Sequence, residues 1–225
     1  MTARPDSLAR RIQHTLVQPD ATAADVERIL EECLEHGFDG AMIQPCWIPL
    51  ARERLAGSEV KLCTAFAYPM GGATTWTKTA EMRDLVALGA DEIDWMPNLG
   101  FLRGGLTGAY AHEVREVTAA ADGRVTKVML EMEALTPDEV ARAVEVAENA
   151  GATYVKNSSG FGKGGAATAA GITRLRSLVQ RCRVKASGGI RTAGQAETLL
   201  EAGADLLGTS SGVAIVRGES AAGEY

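Results

Sequence analysis

The chain has 225 residues, of which 46% are hydrophobic and 23% charged, so it is long enough to bury one core and too apolar to be disordered throughout. Its net charge of −6 argues against general binding to nucleic acid or to an acidic membrane, because both partners select a concentrated basic surface. The start of the chain lacks the pattern of an export signal, and no apolar stretch is long enough to span a bilayer. We therefore expect a cytoplasmic protein.

Short apolar runs alternate with longer segments of helical period along the whole chain, which is typical of repeated βα units around a parallel sheet. This pattern predicts an α/β fold, a closed (β/α)8 or TIM barrel that forms a single domain over residues 1–217, followed by a flexible C-terminal tail over residues 218–225. The eight predicted strands are Ile12 to Val17, Gly40 to Gln44, Lys61 to Ala67, Glu92 to Met96, Lys127 to Glu131, Thr153 to Asn157, Arg183 to Ser187 and Asp205 to Thr209.

Helix boundaries are marked by capping residues between these strands. Thr22 opens a helix that ends before Gly37, and Thr136 with Pro137 opens one that ends before Gly151. A glycine that closes a helix in the left-handed conformation is expected at three joints between a helix and the next strand, at Gly89, Gly151 and Gly203.

The four cysteines and three histidines are scattered along the chain. None of their spacings is typical of a metal-binding or redox motif, so we expect reduced, buried thiols and no metal or other cofactor.

Two of the six lysines lie inside predicted strands, in a chain that has seventeen arginines. These are Lys156 in YVKNSSG and Lys185 in RVKASGG. An amine that must lose its proton and attack a carbonyl has to be a lysine, because a guanidinium does not deprotonate in proteins. The pattern predicts that Lys156 forms a Schiff base with a small carbonyl substrate and that Lys185 lowers the pKa of Lys156. The alternative is that both lysines pair with interior carboxylates as structural ions.

Asp94 in DEIDWMPNLG is expected to share the barrel interior with the two lysines. The period of two along a strand places Ile93 and Trp95 on the opposite face. Cleavage of a carbon–carbon bond through an enamine needs a group that takes up and returns a proton, and Asp94 is the candidate. A structural pairing of Asp94 with a buried lysine is compatible with that role.

Small-residue turns follow each of the last three predicted strands, in SSG, SGG and TSSG. Backbone N–H groups at such turns can surround a phosphate, which loops late in a barrel frequently bind. We therefore expect a phosphorylated substrate, with added charge from Arg191 and from Lys163. Each turn taken singly is equally compatible with a plain loop.

The motifs HTL with PDAT, ADEIDWMPNLG, AGATYVKNSSGFGKGGA, VKASGGIRT and GTSSG resemble the deoxyribose-phosphate aldolase family in order and spacing, over almost the whole chain. The resemblance implies metal-free, reversible cleavage of 2-deoxy-D-ribose 5-phosphate to acetaldehyde and D-glyceraldehyde 3-phosphate. It implies Lys156 as the Schiff-base lysine, Lys185 as the perturbing lysine, Asp94 as the proton relay and the C-terminal Tyr225 as an assistant in proton transfer. It also implies a homo-oligomer, a dimer or larger.

The predicted substrate-binding and phosphate-binding residues lie at the ends of the strands and in the turns after them. They are Thr15, Asn157, Ser159, Gly160, Gly188, Gly189, Arg191, Ser210 and Ser211.

Several positions depart from the family pattern, and we expect them to lie around the substrate rather than at the lysine pair. They are Gln13, Gln44, Asn157, Met132 and Glu133, together with the segment Ala67-Tyr68-Pro69-Met70. Two other functions therefore stay open. One is a divergent Schiff-base enzyme of the same fold that acts on another phosphorylated or deoxy sugar, and the other is a barrel that binds a sugar phosphate without turning it over.

Overall fold

The computed structural model describes residues 7–161 and 165–219. Eight parallel strands pair in chain order and β8 closes on β1, which confirms the predicted barrel. The strands are β1 Ile12–Leu16, β2 Gly40–Ile43, β3 Lys61–Phe66, β4 Glu92–Trp95, β5 Val125–Met129, β6 Tyr154–Lys156, β7 Arg183–Ser187 and β8 Leu206–Thr209.

Helices surround the barrel, and the two predicted capping residues, Thr22 and Thr136, cap their helices. In the described residues they are α1 Ala23–His36, α2 Ile48–Arg54, α3 Thr75–Leu88, α4 Leu99–Arg103, α5 Thr107–Ala119, α6 Pro137–Asn149, α7 Ala169–Leu178, α8 Ala193–Glu201 and α9 Gly212–Arg217. Thr22 and Thr136 both form capping boxes, which satisfy backbone N–H groups that the helix itself leaves unpaired. The three predicted closing glycines all have positive φ: Gly89 100°, Gly151 82° and Gly203 108°.

One strand prediction is wrong by two residues. The fifth strand ends at Met129 rather than Glu131, because the backbone of Glu131 turns into the left-handed region, with φ of 48°. Lys127 consequently lies in the middle of β5 instead of at its start. Its side chain points into the barrel, where its Nζ lies close to Asp94.

Side chains that alternate along the strands form two different packing layers. Ile93 and Trp95 are fully buried in the large core between strands and helices, as predicted, whereas Asp94 between them points into the barrel. Inside the barrel a small apolar cluster of Met42, Cys63 and Ala65 occupies the side of β2 and β3.

The opposite side of the barrel interior is polar and charged. Strand register places Asp94 beside Lys127 and Lys156 beside Lys185. An interior of this kind is stable only if its charges are paired, so the contacts of these side chains determine what the site can do.

In the part of the chain that the structure describes, no helix is both long enough and apolar enough to cross a bilayer.

Candidate active site

Lys156 lies at the carboxyl end of β6, where the interior of the barrel meets its mouth. Its side chain is 6% exposed, and its Nζ donates hydrogen bonds to Asp94 Oδ2 at 3.0 Å and to Tyr68 Oη at 3.1 Å. The amine is thus held on two sides while a small part of it is open to a ligand. This placement agrees with the predicted position of a reactive lysine.

Asp94 is the centre of the charged cluster and has no exposed surface. Its Oδ2 also accepts a hydrogen bond from Lys185 Nζ at 2.8 Å, and its Oδ1 lies 2.9 Å from Lys127 Nζ. Burial alone would raise the pKa of Asp94, but the ammonium groups of Lys127, Lys185 and Lys156 hold it well below its usual range. The carboxyl group is therefore ionised.

The cluster continues below Asp94 toward the amino ends of the strands. Glu92 Oε2 lies 2.8 Å from Lys127 Nζ, and Glu92 Oε1 lies 3.0 Å from Lys61 Nζ, which also pairs with Asp39 at 2.7 Å. Burial opposes the charge on Glu92, but Lys127 and Lys61 lower its pKa to about 2.

Four lysines therefore share three carboxylates in this cluster. If every group carries its usual charge, the cluster has one unpaired positive charge, and three of its four lysines, Lys127, Lys156 and Lys185, are buried. An uncompensated buried charge is costly, so the arrangement favours one uncharged amine.

Lys185 is fully buried in the middle of β7, and its pKa is lowered to about 7. Burial is the main cause; Asp94 opposes it, and the neighbouring ammonium groups of Lys127 and Lys156 add to it. Lys127 differs because two carboxylates, Asp94 and Glu92, outweigh its burial and raise its pKa above the ordinary value. The predicted action of Lys185 on Lys156 stays a prediction.

The lowered pKa of Lys185 predicts how the stability of the protein depends on pH. The unfolded chain holds a proton on Lys185 up to about pH 10.4, whereas the folded chain loses it near pH 7. We expect the free energy of unfolding to rise with pH between these values, by up to about 1.4 kcal/mol per pH unit. Urea unfolding at pH 7, 8 and 9 measures the slope.

The matched control for this prediction is Lys185→Met, which keeps the length of the side chain and removes its proton. Other groups contribute equally to the wild-type and variant slopes, so the wild-type slope should be steeper. Equal slopes would show that Lys185 stays protonated in the folded protein.

Gln13 on β1 joins the two ends of the cluster through its amide. Its Oε1 accepts a hydrogen bond from Lys185 Nζ at 2.6 Å, and its Nε2 donates to Glu92 Oε2 at 2.8 Å and to Asp39 Oδ2 at 3.0 Å. A side-chain amide has one acceptor oxygen and two N–H donors, so it can accept from the ammonium and donate to both carboxylates. A carboxylate here would add charge beside Glu92 and Asp39, so glutamine fits this cluster.

Tyr68 lies in the loop after β3 and contacts the candidate nucleophile directly. Besides the hydrogen bond from Lys156, its ring lies 5.1 Å from Lys156 Nζ, within the range of a cation–π contact. Tyr68 also lines a cavity of about 360 Å³ at the barrel mouth, above the apolar side of the interior. The other lining residues are Val17, Pro19, Gln44, Pro45, Ala65, Phe66, Ala67, Pro69, Glu81 and Phe161.

These contacts correct one expectation about the departures from the family pattern. Gln13 and Tyr68 do not lie away from the lysine pair, since each bonds one of its two amines. The reason is that Gln13 on β1 lies two strands from β7 and Tyr68 follows β3, three strands from β6, and inward side chains of non-adjacent strands meet at the centre of a barrel. Gln44 does line the cavity and donates to the carbonyl groups of Val17 and Gln18.

Sequence reasoning did not identify Lys127 and Tyr68 as site residues. Lys127 has the signal that identified the other two lysines, a position inside a buried strand, but the misplaced start of β5 concealed it. Tyr68 follows β3, in a segment that departs from the family pattern. The composition of that segment alone does not indicate where the phenol points.

The three small-residue turns are joined to one another at the barrel mouth. Asn157 bonds the backbone N–H and carbonyl of Ser187 at 2.8 and 3.1 Å, and Ser187 Oγ donates to Ser158 O at 2.5 Å. Thr209 Oγ1 donates to Ile190 O at 2.6 Å. The loops after β6, β7 and β8 therefore form one continuous edge.

The remaining predicted binding residues occupy this edge or the strand next to it. Gly160, Gly188 and Gly189 all have positive φ, and a Cβ at Gly188 would lie 2.6 Å from Gly165 O, so only glycine allows these loops to approach so closely. Thr15 is on β1, where its Oγ1 donates to the carbonyl of Gln13.

Loop contacts also hold two other predicted binding residues of this edge, Ser159 and Ser211. The backbone N–H of Ser159 donates to Glu131 at 3.2 Å, and that of Ser211 donates to Thr209 Oγ1 at 2.9 Å, while Ser210 is exposed. Arg191 lies directly after the second turn and is partly buried.

The structure does not describe two of the predicted residues. Lys163 and Tyr225 lie outside the described residues, so their roles stay predictions. Met132 lies in a short 3-10 turn after β5, and Glu133 beside it is exposed.

Comparison with known proteins identifies the family of the chain. The family model described as DeoC/LacD family aldolase matches residues 12–218. Deoxyribose-phosphate aldolase 1 from Bacillus licheniformis is 42% identical over 97% of this chain and 98% of its own. The deoxyribose-phosphate aldolase of Dictyoglomus turgidum is 43% identical over 94% of this chain and 96% of its own.

A solved structure agrees as well. The deoxyribose phosphate aldolase from Aeropyrum pernix, described as tetrameric, superimposes with a TM-score of 0.86 at 33% identity, and the match covers 93% of this chain and 89% of that one. The resemblance inferred from the motifs is thereby confirmed. This chain belongs to the DeoC/LacD family of aldolases.

Proposed function

We propose that this chain is a class I aldolase, an aldehyde-lyase that reversibly cleaves 2-deoxy-D-ribose 5-phosphate to acetaldehyde and D-glyceraldehyde 3-phosphate. The observation that carries this proposal is the amine of Lys156, held at the mouth of the barrel against Asp94 Oδ2. Membership in an aldolase family and two relatives named deoxyribose-phosphate aldolase support the choice of substrate. The chemistry needs no metal and no cofactor, since the iminium itself accepts the electron pair.

The first step is the release of a proton by Lys156. Asp94 Oδ2 accepts a hydrogen bond from both Lys156 and Lys185, so a proton can pass between the two amines through one oxygen. We assign the uptake of that proton to Lys185, whose ammonium then disfavours the return of the proton to Lys156. The uncharged Nζ of Lys156 adds to C1 of the open-chain sugar, and loss of water gives the iminium.

The second step breaks the bond between C2 and C3. A base removes the proton of the C3 hydroxyl, a carbonyl forms at C3, and the electron pair of the broken bond moves into the iminium to give an enamine. D-glyceraldehyde 3-phosphate leaves, the enamine takes up a proton at carbon, and water releases acetaldehyde from Lys156. We assign the exchange of these protons to Asp94 through bound water and to Tyr225.

The phosphate group is proposed to bind at the edge formed by the loops after β6, β7 and β8. Backbone N–H groups of Gly160, Gly188 and Gly189 and the residues Ser210 and Ser211 are the candidate donors, because small residues leave room for an anion beside the backbone. Thr15, Asn157, Ser159 and Arg191 complete the proposed binding set.

The test is to incubate the purified enzyme with 2-deoxy-D-ribose 5-phosphate, with and without borohydride. Without borohydride, release of acetaldehyde is followed by its reduction with a coupled alcohol dehydrogenase. With borohydride, intact mass and peptide mapping locate a reduced adduct on Lys156. Ribose 5-phosphate and unphosphorylated 2-deoxyribose serve as matched substrates that change one group each.

The outcomes separate the three functions. Acetaldehyde release together with an adduct on Lys156 supports the proposal. An adduct without release of acetaldehyde would indicate a divergent enzyme that cleaves another phosphorylated or deoxy sugar. The absence of an adduct with every carbonyl compound would indicate a barrel that only binds its ligand.

We also propose that the chain forms a dimer or larger homo-oligomer in the cytoplasm. The relative from Aeropyrum pernix, described as tetrameric, supports the first part. Light scattering coupled to size-exclusion chromatography measures the molar mass, and a value near 23.7 kDa would contradict an oligomer.

A further inference from the structure

We infer that Tyr68 is a further catalytic residue, one that protonates the departing hydroxyl group when the carbinolamine on Lys156 becomes an iminium. The inference rests on the proposed Schiff-base function. It is carried by the position of the phenol, which is bonded to the reacting nitrogen and lines the cavity in front of it.

The nitrogen of Lys156 has two polar neighbours on different sides. Asp94 is fully buried inside the barrel, whereas Tyr68 is part of the lining of the cavity at the barrel mouth. In the proposed reaction the carbonyl substrate reaches the amine from this cavity, which Tyr68 lines. The hydroxyl group of the carbinolamine therefore forms on the side of Tyr68.

Tyr68 is also better suited than Asp94 to deliver a proton. Three ammonium groups keep Asp94 ionised, so it carries no proton to give. Burial, and then the carboxylates of Asp94 and Glu131, raise the pKa of Tyr68 well above its ordinary value, so the phenol keeps its proton until a strong acceptor forms. Since Lys156 Nζ donates to Tyr68 Oη, the proton of the phenol itself remains available for the substrate.

The loop that bears Tyr68 is fixed from both ends. The backbone N–H of Gly71 donates to the carbonyl of Ala67 at 2.8 Å, and the buried Lys78 donates to the carbonyl of Gly71 at 2.5 Å. Lys78 is itself paired with the buried Glu113 at 2.9 Å. Ala67 has φ of 57°, a conformation that costs about 1 kcal/mol for a residue other than glycine, and these contacts maintain it.

Lys156 Nζ has added to the carbonyl carbon, which carries a hydroxyl group. The proton of Tyr68 Oη moves to that hydroxyl, the C–O bond breaks, water leaves, and the lone pair of nitrogen closes the C=N bond. The phenolate then faces the positive iminium, and in the hydrolytic half it recovers a proton from the water that adds to the same carbon.

The test compares the wild type with Tyr68→Phe in rapid-mixing experiments with 2-deoxy-D-ribose 5-phosphate. Borohydride quenches the reaction at increasing times, and intact mass gives the fraction of protein with an adduct. We expect the rate of adduct formation to fall about 10²-fold or more, as for loss of a general acid, with the same final fraction. The deficit should shrink as the pH falls from 8 to 5, because hydronium also catalyses the loss of water.

Tyr110→Phe is the matched control, since Tyr110 is a fully buried tyrosine whose hydroxyl group has no hydrogen-bond partner among the described residues. It should form the adduct at the wild-type rate. A Tyr68→Phe rate equal to the wild type, or a deficit that is the same at every pH, would overturn the role of Tyr68. If the wild type itself forms no adduct, the proposed function fails first and this inference falls with it.

Discussion

Lys156→Ala should lower kcat/KM for 2-deoxy-D-ribose 5-phosphate by more than about 10³-fold and abolish the borohydride-trapped adduct. This corresponds to a loss of more than about 4 kcal/mol of transition-state stabilisation, since no other group replaces a covalent nucleophile. The fold should persist because Asp94 keeps two partners, Lys127 and Lys185. Steady-state kinetics and intact mass measure the two effects, and circular dichroism checks the fold.

Lys156→Arg is the control that separates charge from chemistry. A guanidinium keeps the positive charge beside Asp94 but does not deprotonate, so this variant should also be inactive and form no adduct. An adduct that persists in Lys156→Ala, on Lys185 or elsewhere, would show that the nucleophile has been assigned to the wrong residue.

Asp94→Asn should destabilise the protein by about 3–5 kcal/mol at pH 7. The substitution keeps the shape of the side chain but leaves three buried lysines around a neutral amide, and breaking a buried ion pair from one side typically has this cost. The loss should become smaller as the pH rises, because the folded variant gives up lysine protons at a lower pH than the unfolded chain, whose lysines keep theirs up to about pH 10.4. Urea unfolding at pH 7 and 9 measures both effects.

Asp20→Asn serves as the control, since Asp20 is exposed and its substitution should change the free energy of unfolding by no more than about 0.5 kcal/mol. A loss at Asp94 no larger than at Asp20 would mean that Asp94 is not paired with charged lysines. The description of the cluster as a set of ion pairs would then be wrong.

The barrel was predictable because its signals are local. Capping residues such as Thr22 and Thr136 each bond a residue three positions further along the chain. The apolar strand patterns recur in every βα unit. The end of β5 was not predictable in the same way. A left-handed turn at Glu131 is decided by contacts such as that between its carboxylate and the backbone of Ser159, which is distant in the sequence.

The candidate nucleophile was predictable for a similar reason. A lysine inside a buried strand is unusual enough to be noticed without any knowledge of its neighbours. Lys156 and Lys185 lie in the adjacent strands β6 and β7. The alternation of Asp94 with Ile93 and Trp95 placed the carboxylate in the same interior. These inferences need only the period of a strand and the order of strands in a barrel.

The sequence by itself determined the closed barrel, its capped helices and the presence of lysines and a carboxylate within it. Only the tertiary structure decided that Gln13 bonds Lys185, that Lys127 pairs with Asp94 and that Tyr68 reaches Lys156. The physical reason is that the ionisation of buried groups depends on distances of about 3 Å between residues far apart in the chain, and local patterns carry no information about such distances.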